Sequence, residues 1–291
     1  MSVIFMRLTA KAYAKINLSL DITSVLPNGY HALNTVMQSV SLYDTVTVDT
    51  DAENLALTCD RADVPSGDGN TAFKAAAMFF EAAGLKKAAK IHIEKTIPSQ
   101  AGLGGGSADA AAALRLLNAI HGNPLTDEKL IAIGAKVGAD VPFCLKGGTC
   151  LCQNIGEVLS PLPHTEAYVV IAKPQAGVAT MDAFRRFDAG QPLRRPDNDA
   201  LLFHLANGDP RAAAQFAANV FSELVPLPEY VGLRAKLDGC GAFWSGVSGS
   251  GSAVFGLFDK KEDAEAAAAA AEKKVPFVYL GKTMPTGIEI L

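Results

Sequence analysis

Four of the five residues in Gly102-Leu103-Gly104-Gly105-Gly106 are glycine, and they stand directly before Ser107-Ala-Asp-Ala-Ala-Ala-Ala-Leu. Glycine loses more backbone freedom on ordering than any other residue. So dense a cluster is retained where the backbone must come close to something that a Cβ would block. The stretch ahead of it, IHIEKTIP, alternates as a strand does and is closed by Pro98. The pattern predicts strand, glycine loop, then a helix from about Ser107 to His121. The first turn of such a helix offers unpaired N–H groups and a positive dipole end to an anion. A phosphate group is the expected ligand, and a ligand-free packing loop is the alternative. No lysine follows the glycines, so this is not a Walker loop. Ser107 stands where a dinucleotide fingerprint needs its third glycine. The Gly-Lys-Thr at 281–283 fails as a Walker loop as well, because Pro276 occupies the place of its first glycine.

The rest of the chain is strongly apolar. Hydrophobic residues make up 49% and charged residues 19% of 291, which excludes disorder and suits one large domain or two modest ones. A net charge of −4 argues against nucleic acid as a partner. No apolar run approaches the roughly 18 to 20 residues that cross a bilayer. Arg7, Lys11 and Lys15 fall where a signal peptide would be apolar, so a cytoplasmic enzyme is expected. Five cysteines without a CxxC pair read as reduced thiols, with Cys150 and Cys152 on one side of a strand as packing residues.

Residues 12–21 alternate as a half-buried strand, followed by a Leu-Pro-Asn-Gly-Tyr turn with Gly29 at positive φ. Further strands are expected over MQSVSLYDTVTVDT and LALTC, and helices over 70–84 and 126–136. A second half starts near AYVVIAKP at 170. It has helices near 181–187, 209–222 and 228–238, then strand, Gly/Ser turn, strand, an alanine-rich helix and a last strand over VPFVYL. The expected fold is α+β with two lobes, a β-rich lobe over 1–160 carrying the glycine loop and a split βαβ (ferredoxin-like) lobe over 161–291.

Three further features carry chemistry only in company. Gly246-Val-Ser-Gly-Ser-Gly251 reads equally well as a hairpin turn. Lys15 lies on a polar strand face with Tyr13, Asn17 and Ser19, a pattern shared by a solvated face and a cleft wall. Asp140 in Gly-Ala-Asp-Val-Pro has the look of a turn or cap carboxylate.

AKINLSL with Gly-Tyr-His behind it, PSQAGLGGGSADAA, and SGSGSAVFGLF resemble, in order, the three motifs of the GHMP small-molecule kinases, the family of galactokinase, homoserine kinase and mevalonate kinase. The segments LPNGYHALNTVMQSVSLYDTV, GADVPFCL and KPQAGVATMDAF are similar to the branch acting on a cytidylyl substrate. The resemblance spans nearly the whole chain. It implies phosphorylation by ATP, with Mg²⁺, of the 2-hydroxyl of a cytidine-diphosphate-linked methylerythritol, by a monomer or homodimer. It makes Lys15 and Asp140 the catalytic pair. It assigns the nucleotide to Lys95, Pro98, Ser99, Gly102, Leu103, Gly104, Gly105, Gly106, Ser107 and Ala108. Asn17, Tyr30, His31, Thr180 and Phe184 would meet the acceptor, with Tyr30 and His31 near the cytosine. Ser107 is the nearest motif candidate for Mg²⁺, whose ligands are otherwise unassigned. The sequence departs from the family pattern at Asn219-Val-Phe-Ser, where an acid is expected at 220 and a glutamate at 222. A homoserine- or mevalonate-type kinase and a non-catalytic sensor are the competing readings. A sensor would be expected to have lost Lys15 or Asp140, and a nicotinamide oxidoreductase is opposed by the failed fingerprint.

Overall fold

A computed structural model of the chain describes residues 6–27, 29–190, 192, 194–225 and 227–291. Asn28 of the expected turn and the first five residues lie outside them; Gly29 has the expected positive φ, +82°. Two long antiparallel strands, β1 (Arg7–Val25) and β2 (His31–Asp49), form the frame. Their register shifts between Tyr13 and Ala14, Asn17 and Ser19, and Ile22 and Ser24, which bends the ribbon and re-aims its side chains. β3 (Leu55–Cys59) runs parallel to β4 (Ala89–Glu94), and α1 (Thr71–Ala83) makes the crossover between them. Asn70 caps α1 by accepting from the Ala72 N–H, and Gly84 ends it in the left-handed region at φ +65°.

α2 (Gly105–Ile120) starts two residues earlier than expected, inside the glycine cluster. Its N-cap is Gly104 at φ +71°, with no side chain to satisfy the first N–H groups. α3 (Asp127–Val137) follows its Thr126 cap, and α4 (Val141–Lys146) begins at Asp140 with Pro142 in its first turn. β5 (Thr149–Asn154) and β6 (Val158–Leu162) form a hairpin on β2, so the proposed lobe boundary at 160/161 falls inside β6.

β7 (Tyr168–Lys173) opens the second part. It is followed by α5 (Thr180–Ala189), α6 (Asn198–Ala206), α7 (Pro210–Phe216), α8 (Phe221–Leu224) and α9 (Pro228–Gly239). Then come β8 (Trp244–Val247), β9 (Val254–Phe258), α10 (Lys261–Glu272), β10 (Phe277–Met284) and β11 (Ile288–Ile290). The antiparallel order β10-β7-β9-β8 is the expected split βαβ arrangement. Alternation along β7 divides its burial. Val169 and Ile171 join the main core, while Val170 and Ala172 meet Leu233 and Leu237 of α9 and the alanines of α10. β10 pairs with β7 along its length and then, at Thr283 and Met284, with β2, which joins both parts into one eleven-stranded sheet.

Three local expectations differ. The single helix expected over 209–222 is broken at 217–220. There the Leu20 N–H donates to the Ala218 carbonyl at 2.9 Å and the Val220 N–H to the Leu20 carbonyl at 3.1 Å, so β1 takes the backbone bonds a helix would need. α6 was not expected: Leu201 and Leu205, one turn apart, are its buried positions, but the apolar Leu202 and Phe203 between them mask the helical period. β11 is three residues long and is held by its register with Ala10–Ala12 rather than by its own pattern.

Candidate functional site

The start of α2, the middle of β1, the start of α4 and the two glycine loops converge on one cleft of about 980 Å³. Every expected site residue lines it except Ala108, which is fully buried behind the loop. The glycine cradle is tight. A Cβ on Gly102 (φ +73°) would lie 1.9 Å from the Ser248 carbonyl oxygen, and one on Gly104 would lie 3.0 Å from Lys15 Cγ. Ser248 Oγ donates to the Gly102 carbonyl at 2.8 Å and accepts from the Asn17 N–H at 3.2 Å. The second glycine cluster is the hairpin connection between β8 and β9, and it is seated against the first.

Lys15 is only 4% exposed, so the polar face of β1 is a cleft wall. Its Nζ lies 3.3 Å from Asp140 Oδ2 and donates to Asn17 Oδ1 at 2.7 Å. Asn17 Nδ2 donates to Thr35 Oγ1 at 2.8 Å, and Thr35 Oγ1 donates to the Ser19 carbonyl at 2.6 Å. This relay turns the Asn17 carbonyl toward the ammonium and fixes where Lys15 points. Asp140 occupies the N-cap position of α4 with helical dihedrals and makes no capping bond through its side chain. Its carboxylate faces Lys15 and the cleft instead. A carboxylate beside a buried ammonium can accept a proton from a hydroxyl, while the ammonium meets negative charge developing nearby.

Lys95 sits under the glycine loop with its side chain 5% exposed, bound between Asp44 Oδ2 and Asp109 Oδ2, the latter at 2.7 Å. Asp44 Oδ1 accepts from the Thr96 and Ile97 N–H groups at 2.6 and 2.8 Å, which ties β2 to the start of the loop. Burial pushes the Asp109 carboxyl up to about 7; Lys95 opposes that shift and Asp44 adds to it. Burial pulls the Lys95 ammonium down, but Asp109 and Asp44 outweigh it and leave the group raised.

At the opposite end, exposed Tyr30 precedes β2 and His31 begins it. The His31 and Phe184 rings stack with centroids 4.7 Å apart, and Phe221 meets Phe184 edge-on at 5.1 Å. Thr180 Oγ1 lies 3.4 Å from Ser250 Oγ, which joins α5 to the second glycine loop. The divergent segment has a clear structural part in this. Asn219 Nδ2 donates to the Val247 and Gly249 carbonyls at 2.7 and 2.8 Å, while Val220 is wholly buried. Asp44, Asp109, Thr35 and Ser248 were not read from the sequence. Asp109 carried the one available signal, a lone acid within a run of alanines that a helix must bury. Among the described residues no three His, Cys, Asp or Glu side chains gather as a metal site, and no helix is long and apolar enough to cross a membrane.

Residues 70–148 match the GHMP kinases N terminal domain and residues 205–276 the GHMP kinases C terminal domain. A 4-diphosphocytidyl-2-C-methyl-D-erythritol kinase of Caldicellulosiruptor saccharolyticus is 41% identical over 89% of this chain and 90% of its own. One from Desulfitobacterium hafniense is 42% identical over 95% and 96%. A crystal structure of 4-(cytidine 5'-diphospho)-2C-methyl-D-erythritol kinase superposes with a TM-score of 0.77 at 32% identity, covering 94% of this chain and 98% of that one. A homoserine kinase from Cytophaga hutchinsonii superposes at 0.79 with 21% identity over 100% and 99%, a likeness of fold alone.

Proposed function

Because this chain belongs to the GHMP kinases, we propose that its cleft transfers the γ-phosphoryl group of ATP to the 2-hydroxyl of 4-(cytidine 5'-diphospho)-2-C-methyl-D-erythritol. The observation that carries this reading is the Lys15–Asp140 contact of 3.3 Å beside the glycine cradle. It stands in a chain 41 to 42% identical to relatives named for that reaction. The nucleotide phosphates lie against the N–H groups opening α2, where the dipole is positive and no side chain intrudes. Asp140 takes the proton of the attacking hydroxyl. Lys15 holds Asp140 in place and presents positive charge to the transferring group.

The donor set suits Mg²⁺ carried in with the nucleotide rather than a resident ion. The Ser107 hydroxyl and the Asp140 carboxylate line the cleft near the helix start, while Thr71 donates to the Gly106 carbonyl and Asp109 is bound to Lys95, and Mg²⁺ commonly keeps phosphate and water as its other ligands. Bound there, it would neutralise phosphate oxygens. A cytoplasmic setting is supported by five unpaired thiols, three of them buried.

ADP release is expected with the cytidylyl acceptor and not with homoserine or mevalonate. Turnover of either of those and none of the cytidylyl compound would sink the assignment. The cradle has its own test. In Gly105→Val the new Cβ lies 3.1 Å from Ile97 Cγ2 and 3.2 Å from Lys95 Nζ, so a branched side chain presses on the groups beneath the loop and displaces its backbone. ATP affinity should fall about tenfold or more by titration, because the backbone can no longer reach the phosphate. Unchanged affinity in a folded variant would remove the loop from the nucleotide site.

A further inference from the structure

We propose that Asp188 sets the tautomer of His31 and so makes the base end of the cleft select cytosine over uracil. The inference rests on the reading of the cleft as a cytidylyl-substrate site. His31 Nε2 lies 2.7 Å from Asp188 Oδ1, and the imidazole is only 10% exposed. A carboxylate accepts and does not donate. In the neutral ring the proton therefore sits on Nε2, and Nδ1 keeps its lone pair. The ring is also held against turning. Phe184 stacks on its face with an interplanar angle of 29°, and Phe187 meets it edge-on at 6.0 Å. Phe184 and Asp188 are one helical turn apart on α5, so a single helix face supplies both the stacking surface and the orienting carboxylate. His31, Phe184 and Asp188 all line the cleft.

At ring position 4 cytosine carries an amino group that donates, whereas uracil carries a carbonyl that accepts. A lone pair on Nδ1 attracts the first and repels the second. The opposite tautomer would reverse that preference. A site built to bond one partner and leave the other unpaired discriminates far better than one that relies on shape. The competing role for Asp188 is to fasten α5 to the start of β2, with no bearing on which base is read.

The test compares kcat/KM for the cytidylyl substrate and its uridylyl analogue in the wild type, Asp188→Ala and Asp188→Glu. In Asp188→Ala the cytosine-to-uracil ratio is expected to fall about tenfold, through a higher KM for the cytidylyl compound with KM for ATP unchanged. Asp188→Glu, which keeps a carboxylate, should recover most of the ratio. Nitrogen-15 NMR of the imidazole should show the proton on Nε2 in the wild type and a mixture of tautomers in Asp188→Ala. A fastening role would raise both acceptors' KM together and leave the cytosine-to-uracil ratio unchanged. An active wild type with an unchanged ratio in folded Asp188→Ala overturns this proposal alone. A wild type inert toward the cytidylyl compound overturns the reading of the cleft and this proposal with it. Should Asp188→Ala not fold, a wild-type ring protonated on Nδ1 is the result that defeats it.

Discussion

Asp140→Asn is expected to lower kcat by about 10² to 10⁴ while leaving substrate binding largely intact, the usual cost of losing a positioned general base. The substitution keeps the shape of the side chain and the α4 terminus, since Asp140 makes no capping bond that the fold would miss. Its carboxylate touches Lys15 at 3.3 Å, and Lys15 is held by Asn17 at 2.7 Å, so the two charged groups form one unit across the cleft. Lys15→Ala should therefore lose rate too. The double variant should lose less than the product of the single losses, because removing either partner already disables the other. Steady-state kinetics on the three variants, with nucleotide titration to confirm binding, decide the matter. A folded Asp140→Asn protein with near-normal kcat would return Asp140 to the role of a helix-start residue. Fully multiplicative losses would mean that Lys15 and Asp140 act separately.

What the sequence made legible was whatever its local chemistry overdetermined. The glycine cluster announced the cradle because nothing but close backbone approach explains so many glycines. The split βαβ arrangement followed from element order, and α1 from its Asn70 cap and Gly84 stop. What stayed hidden depended on contacts between distant segments. The polar face of β1 has the same alternation whether it meets water or the Gly102–Ser107 loop. Only the fold shows Leu103 accepting from the Lys15 N–H at 3.0 Å. Asp44 looks like any acid near a strand bend until Lys95 and the Thr96 and Ile97 N–H groups close around it. The break before α8 could not be foreseen from propensity, since it is β1, two hundred residues earlier, that takes up the backbone of Ala218 and Val220. Asp140 is the intermediate case. The sequence reads it as a turn or cap carboxylate after a helix end, whereas it opens α4 without a capping bond, and the resemblance alone turned it toward chemistry.

Lys95→Met is expected to destabilise the protein by about 3 to 5 kcal/mol, roughly 10 °C in Tm, as well as to weaken nucleotide binding. The reason is the ledger of charge beneath the loop. Among the described residues Lys95 is the one cation set between Asp44 and Asp109, both essentially buried, so its removal strands two buried carboxylates. Asp109 is the less well supported of the two, since its Oδ1 has no hydrogen-bond partner whereas Asp44 Oδ1 holds two N–H groups. Lys95→Met combined with Asp109→Asn should accordingly recover part of the loss, and combined with Asp44→Asn should recover less. The same imbalance gives stability a pH dependence whose sign is fixed. Asp109 titrates near 7 in the folded chain, pushed up first by burial, and near 3.9 when unfolded. Between about pH 4 and 7 the folded state therefore keeps a proton that the unfolded state has released, and stability falls as pH rises through that window. Asp109→Asn should flatten that part of the curve. Thermal melts across this range check both statements: a Lys95→Met protein melting with the wild type, or a slope unchanged by Asp109→Asn, would show that the two aspartates are solvated in ways their burial denies.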